Sequence, residues 1–432
     1  MTTQARMSDK SAVHSLEILQ TLLRDYHPRD FKVCFWDGSE WPAEVAPSRF
    51  SLYINHPAAL RHMLLARKPD LAAGEAYIYD DIDIQGEIEA LFPVADYLME
   101  HKPDLLTQLQ LGWKLFKLPR STQAKSNARQ AAQLTGETHS IERDRQAIAY
   151  HYDVSNDFYA MWLDERMVYS CAYFATADEA LDVAQARKLD YLCRKLRLQP
   201  GERLLDIGCG WGGLVLHAAQ NYGVEAVGIT LSRQQVNLAN KRIQEAGLGD
   251  RCRVDYLDYR ELDPAEPFDK LVSVGMFEHV GEARLREYFQ RAWQLLRPGG
   301  AFMNHGIGRD ANSPLVNAST FIGHYVFPDG ELVPINVTLR HAEAASFEVR
   351  DVESLREHYA LTLRHWVRRL EQRRADILKL VDEATYRTWR LFMAGTAYGF
   401  ASGRLNLYQT LLVKPDQGRS GLPLMRRDWY DD

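Results

Sequence analysis

The segment Asp206-Ile207-Gly208-Cys209-Gly210-Trp211-Gly212-Gly213 has the residue types and spacing of a binding turn for a nucleotide-like ligand. It follows the short, largely apolar run 203–205 and precedes a helical pattern at 214–221. Glycine has no Cβ, so its backbone can adopt positive φ and approach a ligand closely at the N-terminus of a helix. The segment therefore predicts a strand, a glycine turn and a helix that bind such a ligand.

The spacing of this turn narrows the class of ligand. It reads Asp-x-Gly-x-Gly-x-Gly, which differs from the Gly-x-Gly-x-x-Gly of dinucleotide-binding folds. It resembles the first motif of class I S-adenosylmethionine-dependent methyltransferases. A tight turn without a ligand is the alternative interpretation.

Polar side chains also follow the next predicted strands. Thr230 and Gln235 come after the second strand and could bind ribose hydroxyls, and Asp258 after the third could accept a hydrogen bond from an adenine amino group. Glu278 and His279 follow the fourth strand, where the reactive methyl group would lie. Taken alone, Asp258 is equally consistent with a solvent-facing loop aspartate.

The elements that must position these residues alternate along the second part of the chain. Strand patterns at 203–207, 225–229, 252–256, 270–274 and 301–307 are separated by helical stretches such as 233–245 and 283–296. This alternation predicts an α/β fold with a doubly wound, Rossmann-like sheet, whose ligand crevice lies at the carboxyl ends of the strands. A smaller mixed α/β domain precedes it.

We predict three regions: an N-terminal domain at 1–118, a polar linker at 119–140 and a catalytic domain at 141–432. In the first region, the segment 105–118 carries its large apolar residues on one helical face, with lysines beside them. This pattern is typical of a helix that lies at a membrane surface, and it is equally consistent with a helix packed on its own domain.

The composition excludes several classes of function. The 432 residues include 52 basic and 58 acidic side chains, a net charge of −6 that does not support nucleic-acid binding. No run of about 18 apolar residues is present, so no transmembrane helix is predicted. The five cysteines show no Cys-x-x-Cys spacing, so we expect neither a disulfide framework nor a metal site. The first ten residues lack the apolar core of a signal peptide, and we therefore expect a cytoplasmic protein.

Several longer strings narrow the family. They are the segments 151–159 (HYDVSNDFY), 169–174 (YSCAYF), 276–281 (MFEHVG), 305–308 (HGIG) and 321–332 (FIGHYVFPDGEL). In this order they closely resemble the cyclopropane fatty acid synthases over residues of about 140 to 413. The preceding domain is similar to that of the members that act on phospholipids, and the resemblance implies a homodimer through the N-terminal domains.

The resemblance also implies which residues bind the methyl donor and which bind a bicarbonate that acts as the general base. The expected donor-binding residues are Tyr152, Ser170, Asp206, Gly208, Gly210, Thr230, Gln235 and Asp258. The expected bicarbonate-binding residues are Cys171, Glu278, His305, Ile307 and Tyr359. Cys171 and Ile307 are expected to contribute backbone groups, so the Cys171 thiol need not be reactive.

The expected activity is that of a cyclopropane-fatty-acyl-phospholipid synthase, which adds a methylene group to the cis double bond of an unsaturated acyl chain. Its expected partners are unsaturated membrane phospholipids. We expect the protein to associate reversibly with the inner face of the membrane that contains them. The nearest alternative is a fatty acyl methyltransferase that leaves a methyl or methylene branch without ring closure. A lipid-binding protein without turnover and a methyltransferase of small soluble molecules are further alternatives.

Overall fold

The computed structural model describes residues 9–120, 129–152, 154–312 and 320–430, which fold into two compact units. The first unit contains the described residues of Met1–Gln130, Ser319–Phe321 and Asp382–Tyr398, and the second contains those of Ala131–Ala318, Ile322–Val381 and Gly399–Asp432. This division differs from the predicted boundaries because Asp382–Tyr398, expected in the catalytic domain, packs within the first unit. Part of the predicted linker, 121–128, lies outside the described residues.

The first unit is a mixed α/β fold around a four-stranded sheet with the order β2-β1-β3-β4. Strands β1 and β3 are parallel, and the two outer strands are antiparallel to their neighbours. Its elements before residue 120 are α1 (Lys10–Leu22), β1 (Phe31–Phe35), β2 (Glu40–Trp41), β3 (Phe50–Ile54), α2 (Ala59–Leu64), α3 (Pro69–Ile78), β4 (Ile82–Gly86), α4 (Leu91–Glu100) and α5 (Leu105–Lys117).

Two buried arginines explain why a helix from the far end of the chain belongs to this unit. Arg387 donates to the backbone carbonyl of Tyr77 (2.9 Å), and Arg390 donates to the Tyr77 hydroxyl (2.8 Å) and to the carbonyl of Ile84 (2.9 Å). Burying a guanidinium costs much free energy unless its donors are satisfied, and these two carbonyls and the hydroxyl accept from the two arginines.

The second unit contains a seven-stranded sheet with helices on both faces. Its helices are α6 (Ile141–Tyr152), α7 (Asn156–Ala160), α8 (Leu181–Leu196), α9 (Gly213–Tyr222), α10 (Arg233–Glu245), α11 (Leu285–Leu295), α12 (Phe321–Tyr325), α13 (Ile335–Ala344), α14 (Arg356–Gln372) and α15 (Arg374–Ile377). Its strands are β5 (Arg203–Ile207), β6 (Glu225–Thr230), β7 (Cys252–Tyr256), β8 (Phe268–Val274), β9 (Leu296–Arg309), β10 (Glu348–Ser354) and β11 (Leu405–Val413). The helix α16 (Glu383–Ala401), which carries Arg387 and Arg390, precedes β11.

The strand order β10-β11-β9-β8-β5-β6-β7 confirms the predicted α/β class. Strands β5 to β9 are parallel to one another, whereas β11 is antiparallel to both β9 and β10. The chain runs from β5 to β6 and β7 on one side and continues with β8 on the other side of β5. The order therefore reverses at β5 and β8, and ligands of doubly wound sheets bind at this point.

The side chains of each strand point alternately to the two faces of the sheet, and a hydrophobic core lies on each face. Leu204 packs in a cluster with residues of α8, α9 and α10, whereas Leu205, the next residue of β5, packs with residues of α11 and α13. Successive side chains of a strand point to opposite faces, so an uninterrupted apolar strand is buried between two helical layers. Among the described residues, no helix combines the length and the hydropathy that crossing a membrane requires.

Candidate active site

The glycine turn connects β5 to α9 as the sequence predicts. Gly208, Gly210 and Gly212 all have positive φ, at +81°, +54° and +75°. A Cβ on Gly208 would lie 2.7 Å from Cβ of Met276, so this position has no room for a side chain. The backbone amides of Gly208 and Cys209 donate to the carbonyl of Ile229 at 2.9 and 3.0 Å, which fixes the turn against β6.

A cleft of about 1190 Å³, partly open to solvent, lies at this turn. Every residue that we expected to bind the methyl donor lines it. They are Tyr152, Ser170, Asp206, Gly208, Gly210, Thr230, Gln235 and Asp258. The structure thus brings together residues that the sequence spreads over more than a hundred positions.

A buried lysine that the sequence analysis missed also lines this cleft. Lys188 is 1 % exposed, and its Nζ donates to Oγ of Ser170 across 3.0 Å. Burial lowers the pKa of Lys188 to about 8. It raises the pKa of Asp206 to about 7, an effect that the nearby Lys188 charge opposes. Oδ1 of Asp206 has no hydrogen-bond partner among the described residues, so this end of the cleft combines a cation with a free acceptor.

The burial of Lys188 could have been predicted from its position on α8. It lies on the same helical face as the buried residues Leu181, Ala184, Gln185 and Leu192. A charged residue within such an apolar stripe is rarely buried unless it has a partner or a ligand.

Thr230 and Gln235 form one hydrogen-bonded pair at the end of β6. Oγ1 of Thr230 donates to Oε1 of Gln235 across 2.6 Å and accepts from the amide of Ser232 at 3.2 Å. Both residues are buried. The pair therefore presents a fixed polar edge to the cleft.

Asp258 is more heavily engaged than the sequence analysis expected. Its two carboxylate oxygens accept from Nε and Nη2 of Arg260, each at 2.7 Å, and Arg260 also donates to Asp144 at 2.8 Å. A carboxylate has about four lone-pair positions, so this bidentate pair leaves acceptor capacity on Asp258. The residue thus lines the cleft as half of an ion pair and not as a free loop aspartate.

Glu278 lies in a short 3-10 turn, Phe277–His279, that follows β8. Its Oε1 accepts from the backbone amide of Ile307 on β9 across 2.7 Å, whereas its Oε2 has no hydrogen-bond partner among the described residues. Burial raises the pKa of Glu278 to about 7, and the Ile307 hydrogen bond opposes this rise. Met276, which precedes this turn, and His279 within it line the cleft at the glycine turn.

His305 lies on β9, two residues before Ile307, and is 1 % exposed. Its Nδ1 contacts Nε2 of Gln409 at 3.2 Å, and its Nε2 has no partner among the described residues. Burial first, and then the charges of Lys188 and Lys195, hold the pKa of His305 well below its ordinary value. The imidazole is therefore neutral.

Tyr359 and Cys171 meet at one backbone carbonyl. The carbonyl of Leu355 accepts from the amide of Tyr359 at 3.1 Å and from Sγ of Cys171 at 3.8 Å. Burial raises the pKa of Cys171 and of Tyr359, so both groups keep their protons near neutral pH. A protonated thiol is a poor nucleophile.

Aromatic rings surround this part of the site. The ring centroids of Tyr359 and Phe400 are 4.7 Å apart, and Trp366 lies 5.3 Å from Tyr169. The hydroxyl of Tyr169 is buried without a hydrogen-bond partner among the described residues, and Tyr169 also lines the cleft at the glycine turn. Sequence analysis did not single out Tyr169, although it lies in the segment 169–174 that carries the resemblance.

Comparison with known proteins places this site in context. A family model described as "Mycolic acid cyclopropane synthetase" matches residues 139–410, and a domain of unknown function matches residues 18–101. A probable fatty acid methyltransferase of Pseudomonas putida is 41 % identical over 399 residues, which cover 91 % of this chain and 95 % of the relative. A tuberculostearic acid methyltransferase of Mycobacterium tuberculosis is 40 % identical over 291 residues, 64 % of this chain and 66 % of the relative.

A solved structure is similar to part of this chain. It is a mycolic acid cyclopropane synthase crystallised with SAH and CTAB. The TM-score is 0.59 at 34 % sequence identity, and the match covers 62 % of this chain and 97 % of that protein.

Proposed function

Because this chain belongs to the mycolic acid cyclopropane synthetase family of S-adenosylmethionine-dependent methyltransferases, we propose that it is a cyclopropane-fatty-acyl-phospholipid synthase. It would transfer a methylene group from S-adenosylmethionine to the cis double bond of an unsaturated phospholipid acyl chain. One observation carries this proposal: a buried carboxyl group, Glu278, with one free oxygen lies in the turn that borders the donor cleft.

The reaction requires that the alkene be held against the donor methyl group and that a base then accept a proton. The π electrons of the alkene form a bond to the methyl carbon while the S–CH₃ bond breaks and sulfur keeps its electron pair. An alkene is a weak nucleophile, so holding it in line with the methyl group in a dry pocket is the main contribution of the protein. The resulting carbocation closes to a ring when the new methyl group loses a proton.

The aromatic rings of Tyr169, Trp366 and Tyr359 suit the carbocation stage. Their faces attract positive charge and offer no strong nucleophile that would trap it. The protonated, buried thiol of Cys171 is likewise poorly reactive.

A bound bicarbonate would supply a base small enough to reach the new methyl group. The residues present fit such an anion. Oε2 of Glu278 and Nε2 of His305 are buried without partners among the described residues, as expected of groups that face an oxygen-bearing ligand. Tyr359, a protonated phenol, would add a donor. The amide of Ile307 already donates to Glu278, so a contact from that amide to the anion would require the carboxylate to turn.

The second candidate is a fatty acyl methyltransferase that ends with a methyl or methylene branch. The 41 % identity to a probable fatty acid methyltransferase and the 40 % identity to a tuberculostearic acid methyltransferase favour it. The first methyl transfer would use the same residues. The two candidates differ after the carbocation has formed. Ring closure uses the electrons of a C–H bond of the new methyl group as that group loses its proton. A methylene branch forms when a hydride shift first moves the cation to the carbon that bears the methyl group, and a methyl branch beside a new double bond forms when a chain carbon loses the proton.

We further propose that the first unit brings the enzyme to membrane phospholipids at the cytoplasmic face. Helix α5 buries Leu111 and Leu115, yet the side chains of its opposite face are 62–79 % exposed. These exposed residues are Leu105, Leu106, Leu109, Trp113 and Phe116. Nζ of Lys117 lies 3.3 Å from the ring centroid of Trp113, which places a cation beside this face. Apolar residues flanked by lysines suit the surface of an anionic bilayer. A homodimer through this unit is proposed from the family resemblance alone.

Product analysis tests the proposed function. The protein is mixed with S-adenosylmethionine and vesicles of a mono-unsaturated phospholipid, and the released acyl esters are analysed by mass spectrometry and proton NMR. A gain of one carbon with cyclopropane ring protons supports the first candidate. Vinylidene or branched-methyl signals support the second, and unchanged lipid contradicts both.

A further inference from the structure

A buried chain of hydrogen bonds runs from Lys195 through Gln409 to His305. Lys195 on α8 and Gln409 on β11 are both 0 % exposed. Nζ of Lys195 lies 3.0 Å from Oε1 of Gln409, and Nε2 of Gln409 lies 3.2 Å from Nδ1 of His305. Gln409 and His305 are direct partners in the antiparallel pairing of β11 with β9, so the backbone holds this contact in register.

The charge on Lys195 determines which atom donates and which accepts in each of these hydrogen bonds. Lys195 contacts Glu353 and lies 3.5 Å from Asp351, and the ring centroids of Tyr191 and Trp429 are 4.5 and 5.3 Å from its Nζ. Two carboxylates and two aromatic faces surround this group, as suits an ammonium that donates to nearby acceptors. An ammonium group only donates hydrogen bonds, so the group of Gln409 that faces it must be the carbonyl oxygen.

The same reasoning fixes the tautomer of His305. With its oxygen turned to Lys195, Gln409 presents its NH₂ group to His305, and an amide nitrogen only donates. Nδ1 of His305 must therefore accept, which leaves the single proton of the neutral imidazole on Nε2. The Nε2 atom has no partner among the described residues, so it presents an N–H donor and not a lone pair.

We infer that Lys195 and Gln409 are positioning residues that hold His305 as an Nε2–H donor toward an oxygen-bearing anion. On this inference His305 binds the anion without accepting its proton, and Glu278, whose Oε2 is free, is left as the side chain that can accept it. The part of the inference that concerns the anion rests on the proposed function. The tautomer of His305 does not.

The direct test is the tautomer in the intact protein. Histidines labelled with ¹⁵N are observed by long-range ¹H–¹⁵N correlation between about pH 5 and 8, and His305 is identified among the 14 histidines by its loss in His305→Asn. We expect a pyridine-like Nδ1 and a pyrrole-like Nε2. A pyrrole-like Nδ1, or an imidazolium at neutral pH, overturns the inference whatever product the enzyme makes.

Variants of Gln409 and Lys195 test whether these hydrogen bonds matter for turnover. Gln409→Glu keeps the shape but replaces the NH₂ donor by an acceptor, so we expect His305 to move its proton to Nδ1 and turnover to fall by about 10²- to 10⁴-fold. Lys195→Met frees the amide to rotate, and we expect a mixture of tautomers with an intermediate loss. Thr410→Val is the matched control: Thr410 is buried beside Gln409 on β11 and should leave both tautomer and turnover unchanged.

The outcomes separate this inference from the proposed function. If Gln409→Glu moves the proton and turnover is unchanged, His305 has no such role. If the tautomer is as expected and no cyclopropane forms, the proposed function is wrong and the tautomer assignment stands. Thermal melting identifies variants that do not fold, and the wild-type spectrum then decides alone.

Discussion

The backbone amide of Ile307 holds one carboxylate oxygen of Glu278 at 2.7 Å, while the other oxygen is buried without a partner among the described residues. This contact joins the turn after β8 to β9, and it gives the carboxyl group a fixed orientation. Burial raises the pKa of Glu278 to about 7. A carboxyl group with this pKa can exchange protons efficiently near neutral pH, where an ordinary glutamate is a weak base.

Removing the charge of Glu278 should therefore separate binding from turnover. In Glu278→Gln the amide keeps the shape of the side chain, so we expect the affinity for S-adenosylmethionine, measured by calorimetry, to change little. Turnover should fall by about 10²- to 10⁴-fold, because the amide cannot accept a proton. Glu282→Gln is the control, since Glu282 lies outside the cleft. Wild-type turnover in Glu278→Gln would remove Glu278 from the mechanism.

The pH dependence of turnover should follow the same group. If the carboxylate form of Glu278 is required, turnover rises with pH through about 7 and levels off above it. His305 should add no step in this range, because its pKa lies well below its ordinary value. Initial rates at saturating substrate test this. A step at about pH 7 that persists in Glu278→Gln would assign it to another group.

The raised pKa also predicts an effect on stability. The pKa of Glu278 rises from 4.5 to about 7 on folding, so its protonated form favours the native state below about pH 4.5, and that advantage is lost as the pH rises through 7. The free energy of unfolding of Glu278→Gln, relative to wild type, should thus increase by about 3 kcal/mol between acid and mildly alkaline pH. Urea denaturation at several pH values measures this difference, and a constant difference would contradict the raised pKa.

Lys188 should matter for binding of the donor. Replacing it by methionine removes the cation beside Ser170 and Asp206, and we expect the affinity for S-adenosylmethionine to fall by about 10- to 100-fold, as for loss of a charged hydrogen bond. Lys241→Met, on the exposed side of α10, is the control. Equal affinities in the two variants would show that Lys188 has only a structural role.

The exposed face of α5 should control attachment to lipid. Replacing Trp113 and Phe116 by serine should lower binding to anionic vesicles by at least about 10-fold, because each large apolar side chain contributes about 1.5–3 kcal/mol when buried. The double variant Leu424→Ser/Met425→Ser, which alters exposed apolar residues of the second unit, is the control. Unchanged co-sedimentation of the first variant would exclude α5 as the contact.

Local patterns were sufficient to predict the sheet and the glycine turn that borders the cleft. The apolar runs that became β5 to β9 and the glycines at positive φ are determined by residues close in sequence, so periodicity and spacing identify them. The helical pattern predicted for residues 105–118 likewise corresponds to α5.

Contacts distant in sequence could not be predicted in this way. Gln409 and His305 are 104 residues apart, and neither residue alone indicates the other. The ion pair of Arg260 with Asp144, 116 residues away, likewise changed the environment expected for Asp258. The packing of α16 with the first unit depends on buried arginines that a sequence analysis assigns to the surface.

The central claim is that a proton leaves the transferred carbon while a ring closes, and a labelled donor tests it most directly. The enzyme is supplied with S-adenosylmethionine carrying a CD₃ group and with mono-unsaturated phospholipid vesicles, and the acyl product is examined by mass spectrometry and NMR. We predict that two of the three deuterons are retained and that the former vinyl protons appear as cyclopropane ring protons. A product that keeps all three deuterons in a methyl branch, or that carries its two in a vinylidene group, would contradict the assignment.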